Sequence, residues 1–158
     1  MANWCSNTVV FEGTPETILA IQKLFQSMKE KEEKTEEGQL PELMEETNGG
    51  HFFNIYWNEG DEGVFQYETK WSPNTEVLRN IAEKYKVIFI QDYEEMGNGI
   101  YGRASYQNEI LDDVFLSDEE LETYYFDEET DTYHFEGETY ESDCEILEML
   151  LERKLSLL

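Results

Sequence analysis

The chain has 158 residues and a formal net charge of −26, from 37 acids against 11 bases, with 39% hydrophobic and 14% aromatic side chains. That length and apolar content suffice for one core and exclude two large domains, and the aromatics exclude a disordered acidic chain. A charge of this sign repels DNA, RNA and anionic membrane, so the predicted partner is a basic protein, with no direct nucleic acid and no membrane contact.

Only Cys5 and Cys144 are present, which provides no disulfide framework and no cysteine-ligated zinc or iron–sulfur site from this chain alone. No cofactor or metal is expected. Met1 to Thr8 lack a basic region followed by an apolar stretch, and no segment approaches the roughly 20 apolar residues of a membrane span, which predicts a cytoplasmic protein.

Thr8-Val9-Val10-Phe11 is a short β-branched and aromatic run that stops at Gly13 and predicts a first strand. Thr14-Pro15 supplies a cap and a first-turn proline, and Ile18, Ile21, Leu24, Phe25 and Met28 follow at helical spacing. Beyond Lys29 the periodicity dissolves into Lys and Glu, then Gly38, Pro41, Gly49 and Gly50, which predicts an exposed helix end and a long loop. His51–Trp57 and Gly63–Trp71 read as a hairpin around Asn58 to Glu62.

Ser72-Pro73 repeats the cap-plus-proline device ahead of Val77, Leu78, Ile81 and Tyr85, a second helix ending near Lys84. Val87-Ile88-Phe89-Ile90 shows no alternation and predicts a central strand. The order strand, helix, strand, strand, helix, strand is the split βαβ pattern, an α+β ferredoxin-like βαββαβ sandwich with both helices on one face.

Further strands are predicted at Ile100–Tyr106 and Ile110–Leu116, and Ser117 with Glu120 has capping-box spacing before a short helix. Tyr124–Phe126 and Tyr133–Phe135 read as a hairpin, and Ser142 with Glu145 as a second capping box opening a last helix. The organisation expected is a ferredoxin-like domain over residues 1–107 and an acidic extension of β-hairpin and helix over 108–158, packed on it as one unit. The apolar tail Leu155-Ser156-Leu157-Leu158 predicts docking on the domain or a contact with another copy, hence a monomer or a weak homodimer through the C-terminal helix.

Four segments carry a family resemblance. Asn3-Trp4-Cys5-Ser6-Asn7 precedes an apolar strand and Gly13, Lys70-Trp71-Ser72-Pro73 opens the second helix, and Tyr93-Glu94-Glu95-Met96-Gly97 is followed by Tyr101-Gly102. In this order they resemble the YubB-like family of plasmid- and phage-borne proteins. The resemblance covers about residues 1–107 and implies a ferredoxin-like domain and a bacterial mobile-element origin. That family has no established function, and the resemblance transfers no catalytic residue.

Between Arg103 and Arg153 lie 49 positions with eighteen carboxylates and no lysine or arginine. A folded carboxylate surface can occupy the Lys- and Arg-rich site of a nucleic-acid-binding protein in place of nucleic acid, whose duplex form carries one charge per roughly 1.7 Å of axis. The residues expected to form this protein-binding field are Asp112, Asp113, Asp118, Glu119, Glu122, Asp127, Glu128, Asp131, Glu141, Glu145 and Glu148, with Tyr124, Tyr125 and Tyr133 as desolvated anchors. Glu141, Glu145, Glu148 and Glu152 have the spacing of one helix face.

The function expected is a non-enzymatic nucleic-acid mimic that inhibits a basic host protein such as a restriction or CRISPR effector. Alternatives are an acidic accessory or scaffold protein, or a small cytosolic hydrolase using Cys5 with His51 or a carboxylate pair such as Asp112 and Asp113. Asp127 to Asp131 lacks the oxygen pattern and glycine of an EF-hand and reads as a hairpin tip. Gly97-Asn98-Gly99 lacks a phosphate-cradle lysine and reads as a turn.

Overall fold

A computed structural model describes residues 3–44 and 49–158. Among the described residues two sheets and four α-helices form: β1 (Trp4–Glu12), α1 (Pro15–Thr35), β2 (Phe53–Tyr56), β3 (Val64–Lys70), α2 (Thr75–Tyr85), β4 (Ile88–Glu95), β5 (Ile100–Gln107), β6 (Ile110–Phe115), α3 (Asp118–Leu121), β7 (Tyr125–Asp127), β8 (Thr132–Phe135), β9 (Glu138–Tyr140) and α4 (Cys144–Leu155). Residues 45–48 of the expected loop lie outside the described residues.

The large sheet has the order β2-β3-β1-β4-β5-β6 and is antiparallel throughout. Its first four strands with α1 and α2 are the ferredoxin-like βαββαβ unit, and β5 and β6 widen it on the β4 side. The expected boundary at residue 107 falls in the turn between β5 and β6, where Asn108 and Glu109 both take positive φ as a two-residue hairpin turn requires. β6 therefore continues the sheet, and the change of layer comes after Phe115.

Strand alternation sorts the sheet's two faces. Val9, Phe11, Phe65, Tyr67 and Phe89 point at α1 and α2, where they meet Ile21, Phe25, Met28, Val77, Leu78 and Ile81. The Phe25 ring stacks on Phe65 with centroids 4.0 Å apart. Burial of such side chains stabilises by about 1.5–3 kcal/mol each, and this is the main core.

A second core forms on the opposite, outer face. Tyr101 on β5 and Val114 on β6 point there and pack with Leu116, Leu121, Phe135, Ile146, Leu147, Leu150 and Leu151. α4 and the small sheet β7-β8-β9 thus cover the β5–β6 half of the outer face. Leu157 and Leu158 are left 85% and 83% exposed beyond the helix.

Three sequence readings change. β1 begins at Trp4, so the first strand starts before Thr8 and takes in Cys5-Ser6-Asn7. Ser72 does not cap α2, and Ser142 does not cap α4: the N-cap residues are Asn74 and Asp143, neither with a side-chain capping bond. Both side chains are engaged elsewhere. Asn74 Oδ1 accepts from the Tyr67 hydroxyl at 2.7 Å while its amide donates to the Gly50 carbonyl, and Asp143 accepts from the Tyr124 hydroxyl at 3.2 Å. The Ser117–Glu120 capping box forms as read.

Leu147→Ala removes a buried side chain from the second core and should cost about 2–5 kcal/mol. All three tryptophans lie in the ferredoxin-like part, at 4, 57 and 71. Urea transitions followed by tryptophan emission and by far-ultraviolet dichroism should shift together in this variant. A tryptophan transition left in place would show that the acidic addition unfolds independently.

Candidate protein-docking surface

Eleven of the fourteen predicted contact residues are exposed, and Tyr124, Asp127 and Tyr133 are half-buried. They do not share one face. Asp112 pairs in register with Ser105 and Asp113 with Ala104, so alternation sends Asp112 to the outer face and Asp113 to the α1–α2 side. Asp113 accepts a hydrogen bond from the Tyr93 hydroxyl at 2.5 Å. The two carboxylates therefore form no acid–base pair.

Asp118, Glu119 and Glu122 cluster on and beside α3, and Glu128 and Asp131 sit at the tip of the β7–β8 hairpin. Glu141 precedes α4, so the helical stripe contains Glu145, Glu148 and Glu152 without it. Tyr124 and Tyr133 belong to the second core. The exposed aromatics of this region are Tyr125, 63% exposed and stacked on His134, and Phe126, which the sequence reading missed. Its signal was its place between Tyr125 and Asp127 in an alternating strand.

A groove of about 510 Å³ lies between α4 and the outer face of β1, β4 and β5. On the helix side Leu155 is half-buried while Leu147 and Leu151, 2% and 5% exposed, are taken up in the second core; Ser6 and Thr8 contribute floor, and Met96 and Tyr101 add apolar surface. Asp92, Glu94, Asp143, Glu148 and Glu152 line it against one cation, Arg103, already bonded to Asp92 at 2.7 Å. Burial first, and then the carboxylates of Glu148, Glu94 and Asp92, push the Tyr101 hydroxyl up to about 12. Those three charges therefore converge on one place although they come from β4 and α4.

Elsewhere the charge is largely uncompensated. Of the eighteen carboxylates between Arg103 and Arg153, Glu120 pairs with Lys154 at 2.6 Å, Glu136 with Arg153 at 2.7 Å, and Asp127 lies 3.5 Å from His134. The other fifteen have no ion-pair partner among the described residues. No group of three or more His, Cys, Asp and Glu among those residues is arranged to hold a metal ion, and no described helix is long and apolar enough to cross a membrane.

The segments that carry the family resemblance meet at one end of the sheet. The Trp71 amide donates to the Asn3 carbonyl at 2.7 Å, and Asn7 donates to the Cys5 carbonyl and the Thr69 hydroxyl, each at 3.0 Å. Thr69 donates to the Ser72 carbonyl at 2.6 Å, and Gln91 donates to Asn7 at 2.9 Å. A side chain at Gly102 would stand 2.5 Å from the Tyr93 hydroxyl, so this glycine makes the room in which Tyr93 reaches Asp113. Cys5 is fully buried beside Tyr93 and Ala104, and burial pushes its thiol up to about 11. A sealed, protonated thiol is a packing group.

A family model described as "Ferredoxin-like domain in Api92-like protein" matches residues 52–136, which run from the start of the β2 region past the end of β8. Neither a curated protein nor a solved structure matches the chain.

The raised groups set an alkaline limit. Cys5 is raised from 9.0 to about 11, and Tyr101 and Tyr124 from 10.0 to about 12, burial being the first cause in each. Their protons leave the unfolded chain at lower pH than the folded one, so their contribution is complete below about pH 9 and is lost as pH rises towards 12. Denaturation monitored from pH 8 to 12 should show stability falling above pH 9, with tyrosinate absorbance rising in step with unfolding. Full tyrosine ionisation at pH 11 without loss of structure would overturn the assignment.

Proposed function

The chain belongs to the family of ferredoxin-like domains in Api92-like proteins, and on that premise we propose that it is a non-enzymatic binding protein that occupies a basic nucleic-acid-binding protein in place of nucleic acid. The observation that carries this reading is the set of fifteen carboxylates without ion-pair partners, held on a folded frame of helix and sheet. A flexible acidic tail loses conformational entropy on binding; side chains on α3, α4 and the β7–β8 hairpin are ordered beforehand.

Charge of one sign over such a surface steers a basic partner and raises its association rate, with strong dependence on salt. Glu145, Glu148 and Glu152 stand along one side of α4 at about 5–6 Å intervals, of the order of the phosphate spacing on one strand. The four motif segments support a plasmid or phage origin of the YubB-like kind, and a restriction or CRISPR effector is the class of host protein such an element gains by occupying. The buried, protonated Cys5 and the opposed Asp112 and Asp113 weigh against the hydrolase alternative.

A second reading, an acidic accessory protein that self-associates weakly through α4, is favoured by the exposed Leu157 and Leu158. Sedimentation of the intact chain and of a Leu157→Ser, Leu158→Ser variant decides whether those leucines join two copies.

Affinity capture from a bacterium that carries the protein should recover a DNA- or RNA-binding protein, released by duplex DNA and by raised salt. Asp118→Lys, Glu128→Lys and Glu145→Lys together should weaken that complex by at least about tenfold, roughly 1.4 kcal/mol. Binding indifferent to salt and to this triple change would overturn the reading.

A further inference from the structure

The outer face of the large sheet is half covered. α4 and the small sheet lie over β5 and β6, while Ser6, Ile90, Asp92 and Glu94 on β1 and β4 stay exposed. β4, β1 and β3 together span about 14 Å at the usual strand spacing, against about 10–12 Å for one helix with its side chains. The open strip therefore has room for one helix laid beside α4.

Its lining describes what that helix must look like. On the α4 side Leu155 stays half-buried at the groove, while Leu147 and Leu151 are covered in the second core. Val10, Val64 and Ile90 face the same way on the sheet, by their register with one another across β1, β3 and β4. The rim is acid: Glu94 on one side, Glu148 and Glu152 on the other, none with an ion-pair partner among the described residues.

We propose that this groove takes an amphipathic basic helix of the partner, its apolar face on Val10, Ile90 and Leu155 and its lysines or arginines on Glu94, Glu148 and Glu152, completing a helix layer over the outer face. The proposal rests on the reading of the acidic surface given above and names the place and partner chemistry within it. Charge complementarity selects a basic occupant: a second copy of this chain, at −26, would carry its own acid into the groove. The apolar strip of Val10, Val64, Ile90 and Leu155 selects an amphipathic one, because charge at a rim contributes more to association rate than to affinity.

The test uses the whole chain and a synthetic helical peptide with leucines at i, i+4, i+7 and lysines or arginines between, against a peptide of equal composition in scrambled order. Calorimetry should show the patterned peptide binding at least about tenfold more tightly, the scrambled one retaining only the salt-sensitive part. Glu94→Lys with Glu148→Lys should weaken the patterned peptide about tenfold, and Asp118→Lys with Glu128→Lys, outside the groove, less than about threefold. All four changes are at exposed carboxylates, and dichroism verifies that each variant is folded.

Equal binding of the two peptides, or equal weakening by the two variant pairs, would overturn the groove. It would leave the broader acidic-surface reading standing, because that reading falls only if the captured partner's binding is indifferent to salt and to the Asp118, Glu128 and Glu145 changes.

Discussion

The contact between the leucines of α4 and the outer face of β5 and β6 is the interaction on which the acidic half of this protein depends. Ile146, Leu147, Leu150 and Leu151 are all buried there, worth about 1.5–3 kcal/mol each before ordering costs. Two like charges 6 Å apart in water repel by only about 0.7 kcal/mol. Apolar burial therefore outweighs the self-repulsion of neighbouring carboxylates at this seam and keeps them in fixed relative positions. Lys154 locks the end of the helix: its ammonium donates to Glu120 and to the Phe115 carbonyl, each at 2.6 Å, tying α4 to the α3 capping box and to β6 at once.

The same seam explains why the charge is not evenly useful. Carboxylates on the hairpin tip and α3 project into solvent, where screening over about 8–10 Å limits each one's reach. Those at the edge of α4 face a second acidic row from β4, and between the rows lies apolar surface of both helix and sheet. Tyr101, under both rows, holds its proton up to about 12 for that reason as well as burial.

Element order and faces were legible in the sequence because they depend on local periodicity. The 3.6-residue stripe of α1, the alternation of β5 and the Ser117–Glu120 spacing each have short-range causes, and each forms. The capping roles read for Ser72 and Ser142 fail because the competing partners, Gly50 and Tyr67 for Asn74 and Tyr124 for Asp143, come from elsewhere in the fold. β9 was not read because Glu138–Tyr140 is too short to alternate visibly and pairs with β8 across a two-residue turn, Glu136-Gly137. The opposed directions of Asp112 and Asp113, by contrast, follow from strand alternation alone. The groove was out of reach: Asp92 and Glu94 precede the basic-free interval, and only tertiary packing sets them opposite Glu148 and Glu152.

That juxtaposition bears on why the surface is acidic. Charge that served solubility alone would be best placed on exposed polar surface, away from apolar side chains whose contact with water it cannot relieve. Here the acid stands at the lip of an open sheet face that carries Val10, Val64 and Ile90, a combination that disfavours nonspecific apolar association and admits a partner bearing both opposite charge and an apolar face. In the proposed complex the carboxylates act as a filter on what reaches the open sheet face, and its apolar side chains supply the affinity that exposed ion pairs, at about 0–1 kcal/mol each, do not.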